Sequence, residues 1–247
     1  MSFEGKVVLI TGAASGIGAE TAKLLASLGG YLAMVDCNSD RLNHVAEEII
    51  GAGHHIPFTI VADLTQDADH IIYETIEKFG KLNVLINNVG VISATGLVDL
   101  DMGNYDLVMN TNVRSAVVLT KLAAPYLEDS KGNIVNVSSI TGTRARPSRL
   151  AYSMSKAALN QFTKCIAVEL GPRGIRVNAV NPGCVNTSLT ETPSERLNYL
   201  TNSYPLRRVG EATDVARSIA FLASDDANFI TGNLFGVDGG ALAANIV

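Results

Sequence analysis

The sequence predicts an α/β fold in which a parallel sheet of about seven strands carries helices on both faces, an arrangement called a doubly wound sheet. Short apolar segments alternate with longer helical segments along the whole chain. That order produces parallel strands joined by crossover helices. In addition, a residue suited to turns or ligand contacts closely follows six of the apolar segments. Because ligands bind at the carboxyl ends of such strands, one crevice would gather all six. These residues are Gly12, Asp36, Asp63, Asn87, Ser139 and Pro182.

Each predicted strand is a short run dominated by apolar residues, as expected for strands that are covered on both faces. The segments between most of these runs are longer and mix polar with apolar residues, which favours helices. In chain order, the predicted elements are strand 7–10, helix 16–28, strand 32–35, helix 39–50, strand 57–61, helix 67–79, strand 84–87, helix 102–127, strand 132–137, helix 152–170, strand 175–181 and strand 234–237.

Composition predicts one globular domain spanning residues 1–247, because no repeat, low-complexity tract or linker divides the chain. Hydrophobic residues make up 47% of the sequence and the mean hydropathy is +0.22, which is enough to bury a large core. Charged residues make up only 17%. This low share predicts that other subunits cover part of the surface.

Several classes of partner are disfavoured by the sequence. The net charge of -5 and the lack of a Lys/Arg cluster argue against nucleic acid. We expect no secretory signal and no membrane span, since no apolar run reaches 18 residues. The cysteines Cys37, Cys165 and Cys184 are widely spaced, which predicts reduced thiols in a cytoplasmic protein. The adjacent histidines His54 and His55 have no acid or cysteine at ligand spacing, so we expect no metal site.

A glycine loop joins the first predicted strand to the first helix and predicts a phosphate site. Gly12, Gly16 and Gly18 permit tight turning and close backbone approach, and the helix N-terminus offers unpaired N–H groups to a pyrophosphate. Any glycine-rich turn between a strand and a helix looks similar. Asp36 ends the next strand about 20 residues beyond this loop, where a carboxylate accepts hydrogen bonds from the hydroxyls of an adenosine ribose. The alternative for Asp36 is a turn residue. Together the two features favour dinucleotide binding in a Rossmann-type sheet.

Tyr152 and Lys156 predict acid–base chemistry. Residues four apart on a helix share a face, so the lysine ammonium can lie beside the tyrosine hydroxyl and lower its pKa from about 10. A phenol so placed can donate or accept a proton. Ser139 precedes this pair at the end of a predicted strand. On its own, the tyrosine–lysine spacing also fits an ordinary solvated helix face.

These residues, taken together, resemble the short-chain dehydrogenase/reductase family over nearly the whole chain. One difference is Val89, where the family usually has alanine in its Asn-Asn-Ala-Gly stretch. The resemblance is carried by six motifs in the family's order: Thr11-Gly12-Ala13-Ala14-Ser15-Gly16-Ile17-Gly18, Asn87-Asn88-Val89-Gly90, Asn112, Ser139, Tyr152-x-x-x-Lys156 and Pro182-Gly183-Cys184-Val185-Asn186-Thr187.

The resemblance implies a role for each matching residue. Tyr152 would be the acid or base, Ser139 would hold the substrate oxygen, and Lys156 would also grip the nicotinamide ribose. Asn112 would complete a proton relay through a water, although Asn110 is an equal candidate from the residues alone. The residues implied to bind the cofactor, NAD, are Gly12, Ser15, Gly16, Ile17, Gly18, Asp36, Asp63, Leu64, Asn87, Gly90, Tyr152, Lys156, Pro182, Gly183, Val185 and Thr187.

The predicted function is an NAD(H)-dependent oxidoreductase that interconverts a secondary alcohol and a ketone, acting as a homotetramer on a hydrophobic small molecule. The predicted substrate lid, residues 188–208, carries several leucines and tyrosines. Arg144, Arg146 and Arg149 would recognise an acidic group or would belong to a solvated loop or a subunit contact. The alternatives are a 3-oxoacyl-thioester reductase, a sugar-nucleotide epimerase or dehydratase, and a catalytically silent dinucleotide-binding regulator.

Overall fold

The computed structural model describes residues 1–187 and 194–246. Its helices and strands alternate as the sequence predicts. In chain order they are β1 (Val7–Thr11), α1 (Gly16–Ser27), β2 (Tyr31–Asp36), α2 (Ser39–Gly51), β3 (Phe58–Val61), α3 (Ala68–Phe79), β4 (Val84–Asn87), α4 (Met102–Met109), α5 (Ser115–Asp129), β5 (Asn133–Val137), α6 (Leu150–Leu170), β6 (Arg176–Pro182), β7 (Val185–Asn186), α7 (Ser194–Ser203), β8 (Gly210–Glu211), α8 (Ala212–Ala223) and β9 (Leu234–Val237).

Seven strands form one sheet in the order β3-β2-β1-β4-β5-β6-β9, and every neighbouring pair in it is parallel. The short strands β7 and β8 pair separately. The strand order reverses between β1 and β4, and a crevice for ligands opens at such a switch point. The predicted doubly wound parallel sheet of about seven strands is therefore confirmed.

Helices cover both faces of the sheet, and the side chains of β1 show how. Val8 and Ile10 belong to the hydrophobic cluster that contains buried residues of α1, α2 and α8. Val7 and Leu9 belong to the cluster that contains buried residues of α3, α5 and α6. Successive strand residues point to opposite faces, so an unbroken apolar strand supplies both cores.

The predicted helix 102–127 is interrupted. A π-helical segment, Asn110–Arg114, separates α4 from α5, and the Ser115 N–H bonds to the Asn110 carbonyl. Thr111 and Asn112 are buried within it. Short π-helical segments occur often at functional sites because they redirect side chains, and this one turns Asn112 toward the carboxyl ends of the strands.

Helix α8 was missed by the sequence prediction although it carries an identifiable start signal. Glu211 and Asp214 form a capping box, and the apolar residues Val215, Ile219 and Leu222 follow at helical spacing. The described part of the chain, 1–187 and 194–246, has no helix with the length and apolar composition needed to cross a membrane.

Candidate active site

A pocket of about 300 Å³ opens at the carboxyl ends of the central strands. It contains residues that the sequence analysis assigned to both the cofactor and the reacting groups. The residues that line it are Gly12, Ser15, Gly16, Ile17, Asp36, Cys37, Asn88, Val89, Gly90, Val91, Ile92, Val137, Ser138, Ser139, Tyr152, Lys156, Pro182, Gly183, Val185 and Thr187.

The glycine loop forms one wall of this pocket and is packed too tightly for side chains. Gly12 has φ +67°, a backbone conformation that favours glycine. A Cβ added at Gly18 would lie 2.0 Å from the Gly12 carbonyl oxygen and 2.6 Å from Asn88 Nδ2. Gly18 therefore lets the start of α1 approach the end of β1. The α1 N-terminus and the open backbone of the loop fit the pyrophosphate of a dinucleotide.

Asp36 ends β2 and lines the same pocket. Its carboxylate accepts the Ala14 N–H at 3.2 Å and the Asn38 N–H at 2.9 Å. These two bonds hold the carboxylate beside the glycine loop. A carboxylate offers about four acceptor sites, so acceptor capacity remains for the hydroxyls of a ribose. Cys37 follows it in the pocket wall and is exposed.

Ser139 follows β5 and caps a short 3₁₀ turn, Ile140–Gly142. Its hydroxyl accepts hydrogen bonds from the Thr141 N–H at 3.2 Å and the Thr141 hydroxyl at 3.0 Å, and it lowers the pKa of Tyr152. A Cβ added at Gly142 would lie 2.7 Å from the Lys156 carbonyl oxygen. The close packing of this turn against α6 brings Ser139 to Tyr152.

The pKa of Tyr152 differs from the sequence prediction. Burial raises it above its usual value of 10, while the Ser139 hydrogen bond and the charges of Arg149 and Arg146 lower it to a smaller extent. The net shift is therefore opposite to the expected lowering toward neutral pH, with Lys156 Nζ at 5.7 Å from the centroid of the Tyr152 ring. At neutral pH the phenol therefore keeps its proton.

Lys156 is itself strongly perturbed. Only 3% of the residue is exposed, and burial lowers the pKa of its amine to about 8. Its Nζ donates a hydrogen bond to the Val137 carbonyl at 2.9 Å. A second contact, from the Ser138 hydroxyl to the Lys156 carbonyl at 3.0 Å, joins the same strand end to α6.

Asn112 lies near Lys156 but outside the pocket wall. Its Nδ2 donates to the Val91 carbonyl at 2.9 Å and the Ser155 hydroxyl at 3.0 Å, and its Oδ1 accepts the Val91 N–H at 2.7 Å. A Cβ added at Gly90 would lie 3.2 Å from Lys156 Nζ and 3.5 Å from Asn112 Oδ1. The amide thus connects the π-helical segment to α6 and to the chain after β4. Its role in a water relay stays a prediction.

Besides Gly18, which packs beneath the glycine loop, three predicted cofactor residues do not line the pocket. The Asn87 side chain is buried and donates to Asn136 Oδ1 at 2.8 Å and to Thr120 Oγ1 at 3.2 Å, so it belongs to the core. Leu64 is buried in the hydrophobic cluster beside α3. Asp63 accepts hydrogen bonds from the N–H and hydroxyl of Thr65 and acts as a turn residue. In the unliganded protein none of them lines the pocket.

Asn88, which the sequence analysis left out of the predicted cofactor residues, lines the pocket. Its Nδ2 donates to the carbonyls of Thr11 at 3.0 Å and Gly12 at 3.1 Å. The available signal was the doublet Asn87-Asn88, since adjacent residues of an extended chain point to opposite sides. Pro182, Gly183, Val185 and Thr187 line the pocket as predicted. Residues 188–193 of the predicted lid lie outside the described residues.

The chain is similar to known oxidoreductases along nearly its whole length. A family model described as Enoyl-(Acyl carrier protein) reductase matches residues 12–241. The 3-oxoacyl-[acyl-carrier-protein] reductase of Thermotoga maritima is 37% identical, with 97% of this chain and 99% of the relative covered. The 7alpha-hydroxysteroid dehydrogenase of Bacteroides fragilis is 36% identical, with 98% and 96% covered.

A solved structure agrees with these relatives. The 3-ketoacyl-(acyl-carrier-protein) reductase of Brucella melitensis, complexed with NADH, superposes with a TM-score of 0.90 at 33% identity and covers 97% of this chain and 99% of its own. The fold, the pocket and these matches define an oxidoreductase built on a dinucleotide-binding sheet. The chain belongs to the short-chain dehydrogenase/reductase family.

Proposed function

We propose that this chain is an NAD(H)-dependent oxidoreductase that interconverts a secondary alcohol and a ketone on a hydrophobic small molecule. The observation that carries the proposal is that Ser139, Tyr152 and Lys156 line the same pocket as Asp36 and the glycine loop. Acid–base groups and a dinucleotide cradle in one pocket are the two requirements of hydride transfer at a carbonyl carbon.

Tyr152 and Ser139 act at the substrate oxygen. When bound, a nicotinamide dinucleotide supplies or accepts the hydride. Charge on the carbonyl oxygen grows as the ketone is reduced, and Tyr152 donates its proton to that oxygen while Ser139 offers a hydrogen bond. Lys156 places a positive charge beside Tyr152 and stabilises the phenolate that remains. Alcohol oxidation runs the same steps in reverse and needs the ionised phenol.

Because the pKa of Tyr152 is raised, the pH determines whether ketone reduction or alcohol oxidation is favoured. A protonated phenol at neutral pH is ready to donate, which supports ketone reduction. The fraction of ionised phenol increases with pH, so alcohol oxidation is expected to accelerate on the alkaline side. An assay in the oxidising direction is therefore best run at alkaline pH.

The groups around Asp36 support NAD(H) over NADP(H). A 2′-phosphate beside this carboxylate would bring like charges together, and its neighbours in the pocket, Ser15 and Cys37, carry no positive charge. A like-charge contact that costs a few kcal/mol would weaken the binding of NADP(H) roughly 100-fold relative to NAD(H).

Exposed apolar side chains near the site support a hydrophobic substrate. Leu97 and Val98 are 76% and 95% exposed in the chain after β4, and this segment contacts the start of α6 through the bond from Leu150 N–H to the Thr95 carbonyl at 3.1 Å. Tyr199, in the predicted lid, is also largely exposed. An apolar rim of this kind suits a fatty or steroid-like molecule.

The alternative with a specific observation in its favour is a 3-oxoacyl-thioester reductase, because relatives of that name are 37% and 33% identical to this chain. The Brucella structure contains NADH, so the cofactor alone does not separate the two functions. A silent regulator is disfavoured because Ser139, Tyr152 and Lys156 line one pocket with Asn112 beside them.

The test is an absorbance assay of NADH formation with fatty, steroid and small secondary alcohols, alongside NADH consumption with a 3-oxoacyl thioester. The proposal expects turnover of at least one hydrophobic secondary alcohol with NAD. Turnover confined to the thioester would favour the alternative. Turnover of no compound in either direction would favour the silent regulator.

A further inference from the structure

Three arginines follow Ser139 in a segment that lacks acidic residues. Arg144, Arg146 and Arg149 lie between Ser139 and Tyr152, and residues 130–168 contain no aspartate or glutamate. This is unusual in a chain of net charge -5. Positive charge is therefore concentrated next to the reacting groups.

Arg149 stands directly before α6, three residues ahead of Tyr152. Arg149 is half-buried, and its guanidinium forms no hydrogen bond or ion pair with residues 1–187 and 194–246. The backbone around it is fixed on both sides: Ser148 adopts φ +54°, and the Leu150 N–H bonds to the Thr95 carbonyl. A half-buried cation is held beside the catalytic tyrosine with no charged partner within the described chain.

Arg146 also acts on Tyr152 through its charge. The charges of Arg149 and Arg146 both lower the pKa of Tyr152, against the larger opposite effect of burial. Arg146 also lowers the pKa of Tyr204, whose hydroxyl accepts the Cys184 N–H at 3.0 Å. The charge of Arg146 therefore acts on Tyr152 in α6 and on Tyr204 directly after α7.

Arg144 differs from the other two. Its Nη1 donates to Asn245 Oδ1 at 2.7 Å, which directs it toward the C-terminal segment. Arg144 is thus held at the C-terminal segment, and it is not among the arginines whose charges lower the pKa of Tyr152.

We propose that Arg149 recognises an anionic group, a carboxylate or a phosphate, on the substrate. The inference rests on the proposed function and deepens it: the substrate is a hydrophobic secondary alcohol or ketone that carries an anion near its reacting end. A guanidinium binds a carboxylate or phosphate through paired hydrogen bonds. The exposed Leu97 and Val98 suit the apolar remainder of such a molecule.

The first test measures binding without turnover. Octanoate, octyl phosphate and the neutral isostere octanamide are titrated by calorimetry into the enzyme saturated with NADH. An anion is expected to bind roughly 10- to 100-fold more tightly than the amide, since hydrogen bonds to a charged group are worth about 1.5–3 kcal/mol. Octanoate and octyl phosphate tell which anion is preferred. Arg149→Ala is expected to abolish the preference and Arg144→Ala to retain it.

The second test measures kcat/KM for 3-hydroxyoctanoate and 3-hydroxyoctanamide with NAD. The readout is the ratio of the two values, because removing a positive charge near Tyr152 also slows both substrates. The ratio is expected to fall at least 10-fold in Arg149→Ala, to recover in part in Arg149→Lys and to stay unchanged in Arg144→Ala.

Equal binding of anion and amide by the wild-type enzyme, or an Arg149→Ala variant that keeps the preference, would overturn the inference. Equal turnover of acid and amide would overturn it while leaving the proposed function in place. If neither compound is oxidised, the calorimetric comparison still decides the inference. Failure of the wider alcohol panel would instead count against the proposed function.

Discussion

The ammonium of Lys156 donates a hydrogen bond to the carbonyl of Val137 at 2.9 Å, and this contact holds a positive charge inside the protein at the end of β5. The residue is 3% exposed and burial lowers its pKa to about 8. A buried cation with one carbonyl partner destabilises the fold, and such a group persists where function requires it.

Replacing Lys156 with methionine is expected to stabilise the unliganded protein and to remove most turnover. The difference between a pKa of 10.5 and one of about 8 corresponds to roughly 3 kcal/mol, which is an upper bound because the Val137 hydrogen bond is lost as well. Urea unfolding at pH 7 measures the gain. Lys164→Met, at an exposed position of the same helix, is the matched control and is expected to change little.

The pH dependence of that gain has a definite sign. Below pH 8 the lysine is charged in both the folded and the unfolded protein, so the full free-energy cost of burying the charge opposes folding. Between pH 8 and 10.5 the unfolded chain binds more protons than the folded chain, so wild-type stability rises with pH relative to the methionine variant. A gain that stays constant from pH 7 to 10.5 would contradict this explanation.

Asp36 is expected to select NAD(H). Asp36→Ala combined with Cys37→Arg should shift kcat/KM toward NADPH by roughly 100-fold or more, since a like charge is removed and a cation is added. The comparison is made for NADH and NADPH with the same ketone. Asp40→Ala, at an exposed carboxylate in the first turn of α2, is the control. A wild-type enzyme that uses both cofactors equally would show that Asp36 does not select.

The long helices α5 and α6 predict a homotetramer. Leu119, Leu159 and Ile166 are buried against the sheet, but Val117 and Val168 on the same helices are 38% and 78% exposed. Apolar side chains on both sides of a helix need a second partner, and pairing of these helices across a two-fold axis supplies one.

Light scattering at micromolar concentration is expected to give four times the chain mass of 26.1 kDa. Val117→Glu with Val168→Glu should reduce the mass, whereas Ile56→Glu, at an exposed apolar residue away from these helices, should not. A monomer mass for the wild-type protein would refute the prediction.

The sequence was sufficient for the seven-stranded sheet because the strands are apolar runs that end in turn or ligand residues. Ser139, Tyr152 and Lys156 were found together for the same reason: the strand end and the helix spacing determine where they lie. The prediction named Asn87, whereas Asn88 lines the pocket. Which of the two amides faces the pocket depends on the side of the chain to which each points, and a doublet of identical residues does not reveal this.

Two further features required the structure. The π-helical segment at Asn110–Arg114 has no distinct composition, and its position reflects how Asn112 packs against Val91 and Ser155. The pKa of Tyr152 depends on burial, which exceeds the effect of neighbouring charges. Spacing on a helix gives the neighbours of a side chain but not its exposure to solvent.

The central claim is that Tyr152 transfers the proton, and Tyr152→Phe tests it most directly. The variant loses one hydroxyl, so kcat for a secondary alcohol that the wild type oxidises with NAD should fall roughly 100- to 10,000-fold, while the Kd for NADH should stay within a few-fold. Tyr73→Phe, at an exposed tyrosine on α3, is the control and should keep full activity. A Tyr152→Phe enzyme that retains more than half of wild-type kcat would contradict the assignment.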